Sequence, residues 1–190
     1  MQLKPSSTRI RVNGKNLNKK YWKRWHVLAN LINEQEWETG LELGVKDGKT
    51  IWHILKFCPK IFMYGIDCWE PVQNANGDES KLYDDWNHQR YYKDAKIRAV
   101  KGRAKLIKGY TQDVHNQIPD NSLDFIFVDA DHSHDAVKKD IELYKPKLKP
   151  TGVMLGHDID WESVRTAVLY HYSDFKVHPN NVWEAIEPNN

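Results

Sequence analysis

Gly40-Leu41-Glu42-Leu43-Gly44-Val45-Lys46-Asp47-Gly48-Lys49-Thr50 reads as a strand, a glycine turn and the first turn of a helix. Gly44 lets backbone approach a ligand, and a helix starting after Gly48 offers free N–H groups to an anion. Three ligand classes use such a turn, and spacing separates them. A phosphate-wrapping P-loop needs G-x-x-x-x-G-K-[ST]. The ending Gly48-Lys49-Thr50 is right, but position 43 is Leu43 and Gly44 stands one residue too close. The dinucleotide fingerprint G-x-G-x-x-G needs a glycine two residues after Gly44, where Lys46 stands. What is left is an acidic residue, a spacer and a glycine at a strand end, Glu42-Leu43-Gly44.

On both sides of this turn, short apolar runs alternate with helical patterns. Residues 40–45, 61–68, 104–107, 123–130 and 152–156 are the strand candidates; continuous apolar runs suit strands buried on both faces of a parallel sheet. A helical stripe over residues 18–33 carries Trp25, Leu28, Ala29 and Ile32. Ile51, Ile54, Leu55 and Cys58 make a second helix face. Val137, Ile141 and Tyr144, stopped by Pro146, make a third; Val164, Ala167 and Val168 make a fourth. Residues 175–177 and 182–186 flank the turn His178-Pro179-Asn180-Asn181, so the last two strands pair antiparallel. The pattern predicts one wound, Rossmann-like α/β sheet, mostly parallel, with helices on both faces. Residues 71–103 form a long insertion, a Pro/Asn/Gly loop and then a polar helix with Tyr83, Trp86, Tyr91 and Tyr92. It reads either as a lid or as a helix covering one sheet face.

The strand ends carry the chemistry. The second ends in Tyr64-Gly65-Ile66-Asp67, and a carboxylate there can accept the ribose hydroxyls of an adenosine. The third leads into Gly109-Tyr110-Thr111-Gln112-Asp113, where Thr111 also suits a helix N-cap. The fourth ends in Asp129-Ala130-Asp131-His132-Ser133-His134 and the fifth in His157-Asp158-Ile159-Asp160. Open α/β sheets bind ligands at this edge, and oxygen donors of this kind suit Mg²⁺ or a similar hard ion. Asp158 and Asp160 also suit helix caps, and His134 and His157 read as structural or solvated.

As a set, these motifs resemble the small S-adenosylmethionine (SAM)-dependent O-methyltransferases of the macrocin and catechol type, over roughly residues 38–160. The resemblance implies a SAM methyltransferase sheet closed by an antiparallel strand pair. It implies cofactor contacts from Glu42, Gly44, Val45, Lys46 and Thr50, from Asp67, Cys68 and Trp69, from Gly109, Tyr110, Thr111 and Gln112, and from Asp129. The anion at the helix start would be the methionine carboxylate. Asp129 and Asp158 map to metal ligands and His132 to the general base, with Asp131 and Asp160 as further metal candidates. The relatives place another Asp or Asn directly after the second metal carboxylate; here Ile159 stands. Trp69, Trp86 and Tyr83 are the aromatic candidates for the acceptor pocket. The acceptor implied is a small-molecule or sugar hydroxyl. Base methylation is disfavoured, since an Asn-Pro-Pro-Tyr-like motif is absent.

The 190 residues suit one domain, read as residues 19–190 behind a basic arm of residues 1–18. The first 24 residues hold eight of the 28 Lys and Arg and none of the 26 Asp and Glu, so the remainder carries a formal −6. Such an arm is either solvated or a contact for a polyanion such as nucleic acid. Cys58 and Cys68 lack metal-like spacing and read as reduced thiols of a cytoplasmic protein. No apolar run approaches the ~18–20 residues of a membrane span. Two other readings stay open: a P-loop-like hydrolase, because residues 125–129 resemble a Mg²⁺-binding strand, and a non-catalytic SAM- or nucleic-acid-binding module.

Overall fold

The computed structural model of the chain describes residues 11–12, 15–16, 18–70, 85–99 and 102–186. Seven strands form one sheet: β1 (Thr39–Leu43), β2 (Phe62–Asp67), β3 (Ala104–Lys108), β4 (Leu123–Val128), β5 (Leu148–Gly156), β6 (Asp174–His178) and β7 (Val182–Ile186). Their spatial order is β3-β2-β1-β4-β5-β7-β6. The first five run parallel, while β7 pairs antiparallel with both β5 and β6. This is the wound α/β sheet with a closing antiparallel pair that the sequence predicts. The order reverses between β1 and β4, and open α/β sheets carry their ligand crevice at such a switch point.

Among the described residues six α-helices cover the sheet: α1 (Arg24–Gln35), α2 (Lys49–Phe57), α3 (Asp85–Ala99), α4 (Thr111–Val114), α5 (His134–Tyr144) and α6 (Glu162–His171). Side chains alternate along the buried strands. Phe125 and Phe127 of β4 join Leu28, Ile32, Ile51 and Ile54 in a layer under α1 and α2. Leu41, Leu43, Ile126 and Val128 join Val137, Ile141, Val164 and Val168 in a layer under α5 and α6. Each fully buried Leu, Ile or Phe contributes roughly 1.5–3 kcal/mol. By the same alternation Glu42, between Leu41 and Leu43, lies on the α1–α2 side.

Two boundaries differ from the sequence reading. α1 starts at Arg24, not near residue 18, because Asn18 instead caps a short 3-10 turn, Lys19–Tyr21, and Trp22 and Lys23 are extended. β5 starts at Leu148 rather than 152. Within the 71–103 stretch, α3 packs on α2 and β3, with Ala95 buried over Gly48. Residues 71–84, including Tyr83, and the side chain of Trp86 lie outside the described residues. Among the described residues no helix is long and apolar enough to cross a membrane.

Candidate active site

The turn after β1 is built on contact between two strand ends. Gly44 has φ +87°, and a Cβ there would sit 2.2 Å from the Asp129 carbonyl oxygen. Asp129 N donates to Leu43 O at 2.9 Å, locking β4 to β1 at that point. Lys46, at φ +51°, donates its N–H to Asp67 Oδ2 at 2.8 Å. Asp67 Oδ1 accepts from Trp69 N at 2.7 Å, and Trp69 Nε1 donates to Lys46 O at 2.7 Å. Asp67 therefore fixes the ends of β1 and β2 through one backbone N–H on each oxygen, and every oxygen keeps lone-pair capacity for a further donor. Trp69 is buried against Tyr92 and braces this corner from inside. Val45 is buried beside it, while the Cys68 thiol, partly exposed, is pushed up by burial.

The start of α2 is capped in part by the chain itself. Asp47 Oδ1 accepts the Lys49 N–H at 3.2 Å, and its other oxygen pairs with Lys49 Nζ at 2.8 Å and Arg98 Nη1 at 3.0 Å. The chain's own carboxylate thus takes part of the helix terminus that the sequence reading left to a ligand. Beneath the turn, Glu42 is 1% exposed. Burial, reinforced by Asp129, pushes its carboxyl well above the usual range; Arg24 and the Thr50 hydroxyl oppose that shift. Its Oε2 has no hydrogen-bond partner among the described residues. It is a buried acceptor without a donor, the kind of group that an ammonium satisfies.

At the end of β3, Gly109 N donates to Asp67 O at 2.9 Å, and Tyr110 and Gln112 are exposed. The Thr111 hydroxyl does not face outward: it donates to Asp140 Oδ1 at 2.5 Å, while Tyr144 OH donates to Thr111 O at 2.7 Å. Burial pushes the Asp140 carboxyl up to about 7, against the Thr111 hydrogen bond. Asp140 and Tyr144 hold α4 from behind, and sequence reading missed this role. The signal was there: Asp140 falls on the stripe of Val137, Ile141 and Tyr144, where a carboxylate must have a partner.

The ends of β4 and β5 hold the densest charge. Donor atoms of Asp129, His132 and Asp158 lie within 4.8 Å of one another. His132 Nε2 is 2.8 Å from Asp158 Oδ2 and 3.9 Å from Asp129 Oδ1. His157 Nδ1 is 3.0 Å from Asp158 Oδ1 and 3.8 Å from Asp129 Oδ1. Asp158 adopts φ +56°, uncommon for a non-glycine residue, at the turn that places its carboxylate between the two rings. Ser163 Oγ donates to His132 O at 2.7 Å and the Trp161 ring lies 5.0 Å from the His132 ring. The contacts from His132 and His157 hold Asp158 well below the usual carboxylate range, and the Asp158 contact raises His132 in return.

Sequence reading gave two members of this cluster no catalytic role. His157, read as structural, belongs to it, with a side chain 12% exposed and its carbonyl held by Trp183 Nε1 at 3.1 Å. Arg24 reaches in from the first residue of α1, its Nη1 2.9 Å from Asp129 Oδ2. Burial, opposed first by Arg24, pushes the Asp129 carboxyl up to about 6. Asp131, Asp160 and His134 stay outside: Asp131 Oδ1 accepts from Ser133 N at 2.7 Å, Asp160 is exposed, and His134 pairs with Asp135.

A family model described as a methyltransferase domain matches residues 41–159, more than half of the chain. The chain belongs to the methyltransferase domain family. This sets aside the P-loop alternative. The Podospora anserina methyltransferase crystallised with S-adenosylhomocysteine (SAH) matches with a TM-score of 0.64 at 14% identity, over 90% of this chain and 81% of that one. A Bacillus cereus O-methyltransferase in complex with SAH matches at 0.62 and 13%, over 86% and 80%. The Streptomyces achromogenes O-methyltransferase of tomaymycin synthesis, in complex with SAM, matches at 0.59 and 11%, over 87% and 80%. At these identities the likeness is one of fold. An uncharacterized protein of Sinorhizobium fredii is 28% identical over 99 residues, 51% of this chain, which spans only 10% of that protein's length.

The resemblance drawn from the motifs implies a divalent ion in this methyltransferase. The donors meet its requirements in distance but not in charge. Mg²⁺ keeps several waters in its octahedral shell and is held by one or two carboxylates, which must be free to face it. Here Arg24 already neutralises Asp129, two imidazoles already face Asp158, and Ile159, 4% exposed, stands at the next position.

Proposed function

We propose that this methyltransferase binds SAM at the edge of β1, β2 and β3 and methylates a hydroxyl of a small molecule or sugar, with His132 as general base. One observation carries the reading. Asp129 touches Gly44 through its backbone and approaches the histidine pair through its side chain, so the cofactor turn and the acid–base cluster meet at one residue. The SAH- and SAM-bound neighbours of the same fold support it.

In this reading Asp67 takes the ribose hydroxyls and Gly109, Tyr110, Thr111 and Gln112 border the adenine. Glu42 Oε2, buried without a donor, takes up the ammonium of the methionine moiety. Bound SAM supplies an electrophilic methyl on a sulfonium. The protein's part is alignment and proton transfer, and orientation alone supplies much of the rate. With Nε2 turned to Asp158, His132 has Nδ1 left for the acceptor's hydroxyl proton, and Asp158 stabilises the imidazolium that results. Residues 19–190 form this catalytic unit, and residues 1–18 lie outside it.

The test is His132→Gln in the full chain with a verified hydroxyl acceptor. SAH affinity stays unchanged while turnover falls by roughly 10²–10⁴-fold, the usual loss for an acid–base group. Full turnover in the variant would remove His132 from the mechanism.

A further inference from the structure

We infer that Arg24 is the resident cation of this site and holds the place on Asp129 that a divalent ion would need. The inference rests on reading the cluster as the methyl-transfer site, and it assigns how that site balances its charge. Two carboxylates come together at the ends of β4 and β5, one of them, Asp129, with a side chain 6% exposed. Buried carboxylates need counter-charge. Arg24 supplies it through Nη1 at 2.9 Å from Asp129 Oδ2. A guanidinium does not lose its proton in proteins, so this charge is permanent.

Arg24 is placed by the fold rather than by chance of a surface rotamer. Its backbone N–H donates to Asn180 Oδ1 at 2.8 Å, in the turn between β6 and β7 and 156 residues away. The preceding Lys23 N–H donates to His26 Nδ1 at 3.0 Å and the His26 N–H donates back to Lys23 O at 2.8 Å, which sets where α1 begins. The start of α1 is therefore pinned from two sides, and the guanidinium it carries is aimed at the edge of β4.

The remaining donors complete the case. Both Asp158 oxygens face imidazole nitrogens, at 2.8 and 3.0 Å. Asp131 Oδ1 accepts the Ser133 N–H and Asp160 is exposed. A divalent ion between Asp129 and Asp158 would lie against the guanidinium and find few free oxygens. Arg24 acts through Asp129 as a positioning residue: it keeps the carboxylate ionised and fixed beside His132.

The experiment is a Mn²⁺ titration of the full chain, without donor or acceptor, followed by the electron paramagnetic resonance signal of the free ion. The wild type leaves the signal unchanged. Arg24→Gln, which frees the carboxylate, takes up one ion per chain at least tenfold more tightly, and adding Asp129→Asn abolishes the gain. Arg24→Lys keeps the cation and behaves as wild type, and Arg24→Ala, a second variant without the cation, takes up the ion if the glutamine variant does not fold. One Mn²⁺ per wild-type chain, lost in Asp129→Asn, overturns the inference. So does a folded Arg24→Gln chain that gains no ion. Because no methyl transfer is read, failure here is separable from failure of the proposed reaction.

Discussion

His132 Nε2 stands 2.8 Å from Asp158 Oδ2, so the ends of β4 and β5 share one imidazole–carboxylate pair across the sheet edge. This contact raises the His132 pKa above its ordinary 6.5, against the lowering that burial causes. A base must be neutral to accept a proton, so kcat/KM falls as pH drops through the raised value. In Asp158→Asn the midpoint of that acidic limb moves down, and kcat/KM near neutrality falls roughly ten- to hundredfold as the ring loses its orienting partner. A pH profile of both proteins checks this; an unmoved midpoint would mean that another group titrates.

Gly44 joins the cofactor turn to Asp129 by close backbone approach, at φ +87°. Gly44→Ala puts Cβ into the Asp129 carbonyl and should cost about 2–4 kcal/mol, with weakened SAH binding. Gly102 is the control: its φ is +71°, yet nothing lies within 4 Å of an added Cβ. Gly102→Ala therefore costs about 1 kcal/mol for the left-handed conformation alone. Denaturant melts of the two variants separate close approach from backbone strain; equal losses would dispute the contact.

Asp140, pushed up to about 7 by burial, gives the fold a pH dependence that can be isolated. The native carboxyl keeps its proton up to about pH 7, while the unfolded chain loses it near the ordinary 3.8. The unfolded state thus binds fewer protons across that window, and this contribution to stability falls as pH rises from about 4 to 7. Asp140→Asn keeps an acceptor for Thr111 and never ionises. It should melt like the wild type near pH 4 and be more stable by roughly 4 kcal/mol at pH 8. Parallel melting curves at all pH values would show that Asp140 is not the group responsible.

Much of this architecture is legible in the sequence. Alternating apolar runs and helical stripes fix the order of elements, and the polar residues that end the second to fifth strands mark the functional edge. Asp129, His132 and Asp158 are legible because each lies within four residues of a strand end. Arg24 is not, because it is one of eight basic residues spread over the first 24 positions and is set in place by Asn180, far along the chain. His157 reads as structural because a lone histidine at a strand end gives no hint that Asp158 will turn back toward it. The start of α1 is misplaced because Trp25 and its periodic partners define a face, whereas the cap at Lys23 depends on His26 within the helix.

In the proposed function the Gly44 turn and the Asp67 corner form a SAM site rather than a nucleotide-phosphate or dinucleotide site. Isothermal titration of the full chain with SAH, beside ATP under the same conditions, tests it most directly. One SAH should bind saturably per chain, with no heat from ATP. Binding of ATP with none of SAH would contradict it.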